Sequence, residues 1–295
     1  MSNILQVIIV GILVGGLYGL VGLGFGLIQG VMRFVNIAQG SFIILGGFIC
    51  YWAVTLLHID PYLSIPLVML VMFIVGVITY QLLFSPLLKY PKAEMRLDKS
   101  LLLTFGAVWI IDNLETLFWT PNSRAVITSY GGKTVNIFGA AVSYTGLIGM
   151  GLAILTAAIL HIILTRTYFG KHVRAATEDA GAASLSGVNV QLTYMISCGI
   201  AVALAGLAGV VVVTNYSITP GGGIAWLLTS MVVVTLAGTD NMNFMIPAGI
   251  ILGVVQSVST LLVNPAYQQP IALIIFLLII MFRPQGLFSR GKRLA

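Results

Sequence analysis

Charge is what this sequence has least of. Only 7% of its 295 residues are Asp, Glu, Lys or Arg, against about 25% in an ordinary soluble domain. So few charges cannot cover a water-facing surface for a chain of this length, which excludes a large soluble domain. Cysteine is nearly absent as well. Cys50 and Cys198 both sit inside apolar runs, which argues against a disulfide framework or a metal site. There is no G-x-x-x-x-G-K-[ST] phosphate loop. The nearest approach, Gly170-Lys171, is followed by His172, which places no hydroxyl for a magnesium ion. No basic stretch precedes the first apolar run, which starts at Ile4. That run is therefore expected to be a retained span, not a removable signal peptide. The short alternating segments of a membrane barrel are missing, as are linkers and low-complexity stretches.

What is present is apolar. Hydrophobic residues make up 59% of the chain, above the roughly 45–50% of globular proteins, and the mean hydropathy is +1.06. The fold class expected is all-α: a polytopic membrane protein forming one transmembrane domain over residues 1–295. A crossing takes about 20 apolar residues with its backbone polar groups bonded internally. Segments 4–31, 36–57, 62–88, 100–119, 140–165, 191–214, 224–238, 245–263 and 267–282 are the candidates. Segment 4–31 is long for one straight crossing, and 224–238 is short enough to be a half-helix. Eight or nine crossings are expected.

The net charge of +6 is a membrane-orientation signal and not a nucleic-acid footprint. Arg33, the loop 89–99 (Lys89, Lys92, Arg96, Lys99), the loop 166–190 (Arg166, Lys171, Arg174) and the tail (Arg283, Arg290, Lys292, Arg293) hold 12 of the 14 Lys and Arg. Arg124 and Lys133 alone fall in the loop 120–139. Nine alternating crossings put the twelve on one side, and the positive-inside rule makes that side cytoplasmic. The N-terminus is then outside and the C-terminus inside. Gly11, Gly15 and Gly19, and later Ala201, Ala205 and Gly209, are small residues four apart. They allow close helix contact, within this chain or with a second subunit.

Segment 166–190 is too polar to span. Its alanines favour a short helix, and Gly187 stands where a helix-ending glycine belongs. It reads either as a solvated loop or as a docking helix for a cytoplasmic partner, with Glu178 and Asp179 following a basic cluster. Polar residues inside apolar runs are costly and mark candidate paths. Asn36 and Gln39, beside Gly40 and Ser41, suggest a helix break that either caps the next helix, with Asn36 as N-cap, or faces a substrate carboxylate. Asp112 and Glu115 share a helix face, with Asn113 between them. They either snorkel to the interface or face a cavity.

Segment 166–190 resembles the coupling loop of the permeases of branched-chain amino acid ABC importers, R-A-x-x-E-D-x-x-x-A-x-x-x-G-[IV]-N. Here the matching residues are Arg174, Ala175, Glu178, Asp179, Ala183, Gly187, Val188 and Asn189. Tyr18, Leu20, Gly24, Leu27, Gly30, Asn36, Ala38, Gln39 and Gly40 match that family's N-terminal pattern. Met281 to Phe288 matches its terminal R-P-x-G-[LI]-F. The resemblance implies a subunit of an inner-membrane importer that forms half of the translocation path. Its partners would be a second related permease, two cytoplasmic ATPases and a soluble substrate-binding protein. ATP and magnesium would sit on the ATPases, with no cofactor on this chain. Arg174, Glu178, Asp179, Ala183 and Gly187 would couple to an ATPase. Asn36, Gln39, Ser41, Asp112, Asn113 and Glu115 are the candidate path residues, Asp112 meeting a substrate ammonium or a cation of the partner permease.

The chain departs from the family pattern in three places. Ser41 stands where an acid is usual, Asp112 where Gln is frequent, and Ala237 to Asn241 replace a glycine-rich stretch. A branched-chain or other hydrophobic amino acid is the expected substrate, with urea, short amides or organic acids as alternatives. A secondary transporter is the remaining alternative.

Overall fold

A computed structural model describes residues 2–90, 93–128, 130–137, 140–238, 241–262, 268–282 and 286–288. Lys92, Thr239, Asp240, Arg283 to Gln285 and the basic tail, all used in the sequence reading, lie outside the described residues.

Among the described residues, each of the nine apolar segments contributes a helix or helix run. Helix α1 spans Ser2–Met32, α2 Gln39–Leu57, and α3 Ile65–Thr79, extended through Tyr80–Phe84 and Ser85–Lys89. Helix α4 spans Ala93–Trp119 and α5 Tyr144–Arg166. Two short helices, α6 (Tyr168–Glu178) and α7 (Ala180–Leu185), precede α8 (Val190–Asn215). Helices α9 (Gly223–Ala237), α10 (Met245–Leu262) and α11 (Gln268–Phe282) complete the run. Among the described residues, seven of these are long and apolar enough to cross a membrane, and Gly223–Ala237 is a shorter apolar helix. The chain is an essentially all-α, multi-pass membrane protein.

Three boundaries differ from the sequence reading. Residues 93–99 belong to α4 and not to a loop, because Ala, Glu, Met, Arg, Leu and Lys are strong helix formers whatever their polarity. Residues 140–143 form a strand, β2 (Ala140–Ser143), paired antiparallel with β1 (Thr134–Ile137). Helix α5 therefore begins at Tyr144, and the run of Ala and Val before it is an extended edge. Segment 4–31 lies within one continuous helix of 31 residues, Ser2–Met32. At about 1.5 Å per residue it is roughly 46 Å long, so it tilts or projects beyond the hydrocarbon.

The chain divides into two compact units. One comprises residues 1–26, 129–157 and 228–295. Here the glycine stripe of α1 meets α10 backbone to backbone: a Cβ on Gly11 would lie 2.8 Å from Val254 Cα, and one on Gly19 would lie 2.8 Å from Ile246 Cα. The stripe is thus spent inside the chain. In the same unit the Leu287 N–H bonds the Leu236 carbonyl at 2.9 Å, and Phe288 stacks on Phe244 at 4.8 Å, which folds the end of the terminal motif onto the end of α9.

The second unit comprises residues 27–128 and 158–227. Its centre is α8, the most buried of the long apolar helices. Against it α2 packs through small residues, Gly46 on Gly206 and Gly209 on the Ile43 carbonyl. Helix α4 runs parallel to α2, since Thr104 lies beside Ile37, Asp112 beside Ser41 and Trp119 beside Phe48. It is the least buried of the long helices.

Candidate functional site

Helix α2 starts partway along α4. Its N-terminus lies at the level of Thr104, roughly 16 Å beyond the first residue of α4 at about 1.5 Å per residue. The chain reaches that level through residues 33–38, which are not helical. Irregular backbone at membrane depth is tolerated only where protein meets its polar groups, and here it does. The Ile37 N–H donates to the Thr104 hydroxyl at 3.3 Å, and the Ala38 N–H to Asn36 Oδ1 at 3.1 Å. The Gln39 N–H donates to the Asn36 carbonyl at 3.2 Å, and Gln39 Nε2 to the Ala201 carbonyl at 3.5 Å. Asn36 is therefore not the helix cap; Ala38 holds that position, and Asn36 closes a turn one step earlier. Asn36 and Gln39 are both fully buried and both spent on the break.

One turn into α2, the Ser41 hydroxyl donates to Asp112 Oδ1 at 2.8 Å. Glu115, on the same face of α4, is 0% exposed. Neither of its oxygens meets a donor at good hydrogen-bond geometry, and the Gly221 N–H is the backbone donor facing it. Trp119, one turn further along, is buried with its indole N–H unpaired. Glu115 therefore does not snorkel to a surface. Asn113 does not join this group. It is exposed on another face and donates to the Trp109 carbonyl of its own helix at 2.6 Å, because adjacent positions on a helix point about 100° apart.

The loop 216–222 supplies the third side, which the sequence reading missed. It is held by an antiparallel bridge, Arg124 N–H to the Ile218 carbonyl at 2.9 Å and Ile218 N–H to the Arg124 carbonyl at 2.8 Å. Gly221 has φ +76, a left-handed conformation suited to glycine, and lies against Asp112. Gly223 then packs directly on Gly40, the carbonyl of one filling the space of a side chain on the other. The first turns of α2 and α9 thus lie side by side, Gly222 beside Ile44 and Leu227 beside Gly40. The helices run in opposite directions from this junction. Helix N-termini carry partial positive charge, and the two carboxylates of α4 lie where that charge gathers. The run Pro220-Gly221-Gly222-Gly223 was the available signal for this loop.

The second cluster is the corner between α5 and α8. A Cβ on Gly170 would strike the Leu164 carbonyl, and the Arg174 guanidinium donates to that same carbonyl. Helix α6 is thereby clamped to the end of α5, with the Thr167 side chain accepting from the Gly170 N–H. Val173 and Ala176 are buried, and the Tyr194 hydroxyl of α8 donates to the Ala176 carbonyl at 3.2 Å. Asp179 breaks the helix and caps the next one, accepting from Gly181 N–H at 2.8 Å and Ala182 N–H at 3.0 Å. Glu178 is exposed. Ala183 is buried, and Gly187 at φ +85 closes α7: the Gly187 N–H bonds the Ser184 carbonyl, and the Val188 N–H bonds the Ala183 carbonyl. Asn189 caps α8. The outer surface of this corner carries Tyr168, 79% exposed, and Leu185, 92% exposed.

Comparison with known proteins accords with this architecture. No solved structure matches the chain. It is 25% identical over 98% of its length to the high-affinity branched-chain amino acid transport system permease protein BraD of Pseudomonas aeruginosa, covering 96% of that protein. It is 28% identical over 94% of its length to the probable branched-chain amino acid transport permease protein LivH of Methanocaldococcus jannaschii, covering 90% of it. To the LivH permease of Escherichia coli it is 21% identical over 98% of its length, covering 96%. Residues 7–281 match the family described as branched-chain amino acid transport system, permease component, and the chain belongs to that family.

Proposed function

We propose that this permease is one half of the translocation path of an ATP-driven importer for branched-chain or related hydrophobic amino acids in the bacterial inner membrane. It works by alternating access and has no catalytic role of its own. A second related permease completes the path, a soluble binding protein delivers the substrate, and two cytoplasmic ATPases carry ATP and magnesium. The C-terminus and the α6–α7 corner face the cytoplasm.

The observation that carries the reading is the α6–α7 corner. It is ordered by its own hydrogen bonds, clamped to a long apolar helix at each end, and crowned by exposed Tyr168 and Leu185. Large apolar side chains exposed outside the spanning segments suit a protein partner, and a stiff corner would pass the motion of that partner to α5 and α8. Arg174, Ala183 and Gly187 build the corner, while Glu178 offers charge to basic residues of an ATPase. In the path, the carboxylates of Asp112 and Glu115 suit the ammonium of an amino acid, with Ser41 orienting Asp112. Asn36 and Gln39 keep the neighbouring break closed.

The test is ATP hydrolysis by the reconstituted complex in liposomes, with the cognate binding protein loaded in turn with leucine, urea, a short amide and an aromatic acid. Stimulation by leucine is expected. Stimulation by a non-amino acid alone overturns the substrate, and the absence of any copurifying ATPase overturns the importer.

A further inference from the structure

Away from the path and the coupling corner, the chain has a cleft of about 640 Å³ where the α3 run ends and α4 begins. Leu87, Leu102 and Leu103 give it apolar wall, and Lys89, Tyr90 and Lys99 line its polar part. Tyr90 is tied to the first turns of α4. Arg96 Nε donates to the Tyr90 carbonyl at 2.8 Å, and the Lys99 ammonium lies 3.5 Å from the centre of the Tyr90 ring. The hydrogen bond and charge of Lys99 keep the Tyr90 phenol below its ordinary value. Glu94 and Asp98 stand on the same first turns of α4 yet do not line the cleft, and no acidic side chain among the described residues does.

Two ammonium groups beside an apolar wall, at the end of two spanning helices, form an amphipathic cleft of one sign. A soluble anion would leave the leucines unused, and a neutral lipid would leave the charge of the two lysines unmatched. We propose that this cleft binds an anionic phospholipid, with the phosphate between Lys89 and Lys99 and an acyl chain along Leu102 and Leu103. Leu102 is 73% exposed and marks where the chain would leave the cleft. Each basic side chain near an anionic headgroup contributes about a fivefold gain in retention.

The test is native mass spectrometry of the whole complex in detergent, titrated with phosphatidylglycerol, phosphatidylcholine or inorganic phosphate. Phosphatidylglycerol should be retained, with Lys89→Gln/Lys99→Gln weakening retention about 30-fold. Lys133→Gln, a change of charge far along the sequence in the β1 turn, should leave retention unchanged. Equal retention of phosphatidylcholine, equal loss in Lys133→Gln, or wild-type retention in the double variant each overturns the proposal. Displacement of the lipid by millimolar phosphate also overturns it, by showing a simple anion site. Leu102→Ser, an exposed change that leaves the lysines in place, should weaken phosphatidylglycerol alone. If it does not, the acyl chain lies elsewhere and the assignment fails.

Discussion

Ser41 and Asp112 meet at 2.8 Å between two helices that start at different heights, and that pairing sets what each side chain can do. The hydroxyl orients one oxygen of Asp112 and leaves the other toward Gly221. Asp112→Asn keeps the shape and removes the charge. With the complex still assembled, leucine uptake into vesicles should fall about tenfold or more, since a hydrogen bond to a charged group is worth about 1.5–3 kcal/mol. Unchanged uptake would remove Asp112 from the path. Ser41→Ala should fall less, because Asp112 keeps its charge. The i, i+3 spacing of Asp112 and Glu115 was readable from the chain, because a helix face is a local property. Gly221 was not, because the loop reaches Asp112 only through the bridge at Arg124 and Ile218. The break at Asn36 and Gln39 was readable, but the exact first residue of α2 was not, for a related reason. Where α2 begins is decided by a bond from Ile37 to Thr104 on a distant helix, and no local cap signal carries that information.

At the scale of elements, the apolar runs became helices among the described residues because each offers an apolar helical stretch of 15 residues or more. At 93–99 the misread boundary is a place where polarity and helix propensity disagree, and at 140–143 the pairing with β1 overrides it. Residues 93–99 are charged but helix-forming, and 140–143 are apolar but extended. The junction of α2 and α9 rests on the absence of two side chains. Gly40→Val should press a branched carbon into the Gly223 carbonyl and cost about 1–3 kcal/mol or more from overpacking. Thermal scanning of the purified complex by size-exclusion recovery should show a clear drop in midpoint. Gly106→Ala and Gly151→Ala meet open space and should match or exceed the wild type. A drop in these controls as large as that of Gly40→Val would mean that close packing is not what Gly40 provides.

The distribution of Lys and Arg sets the expected placement of the whole molecule in the bilayer, and exposed positions at two different loops can check it. Leu185 is 92% exposed in the α6–α7 corner, and Ile127 is 93% exposed in the segment after α4. Cys50 and Cys198 are both buried, so native background is low. In the permease expressed without its ATPases, Leu185→Cys should react with a membrane-impermeant maleimide only after the membrane is opened, and Ile127→Cys should react in intact cells. The reverse pattern inverts the orientation. Charge bias is a property of the whole chain and reads well from sequence. The face that meets a second permease does not, since Trp109, Ile110, Leu117 and others on α4 are exposed in a pattern that lipid or protein would satisfy equally.

The corner of α6 and α7 has a mechanical consequence. Its turns are fastened by Arg174, Asp179, Gly187 and Asn189 to their own backbone. A slack tether would absorb a push by rearranging. On the proposed reading this segment would act as a crank: little ordering entropy would remain to be lost when a partner grips it, and a displacement at Leu185 would be passed on to α5 and α8.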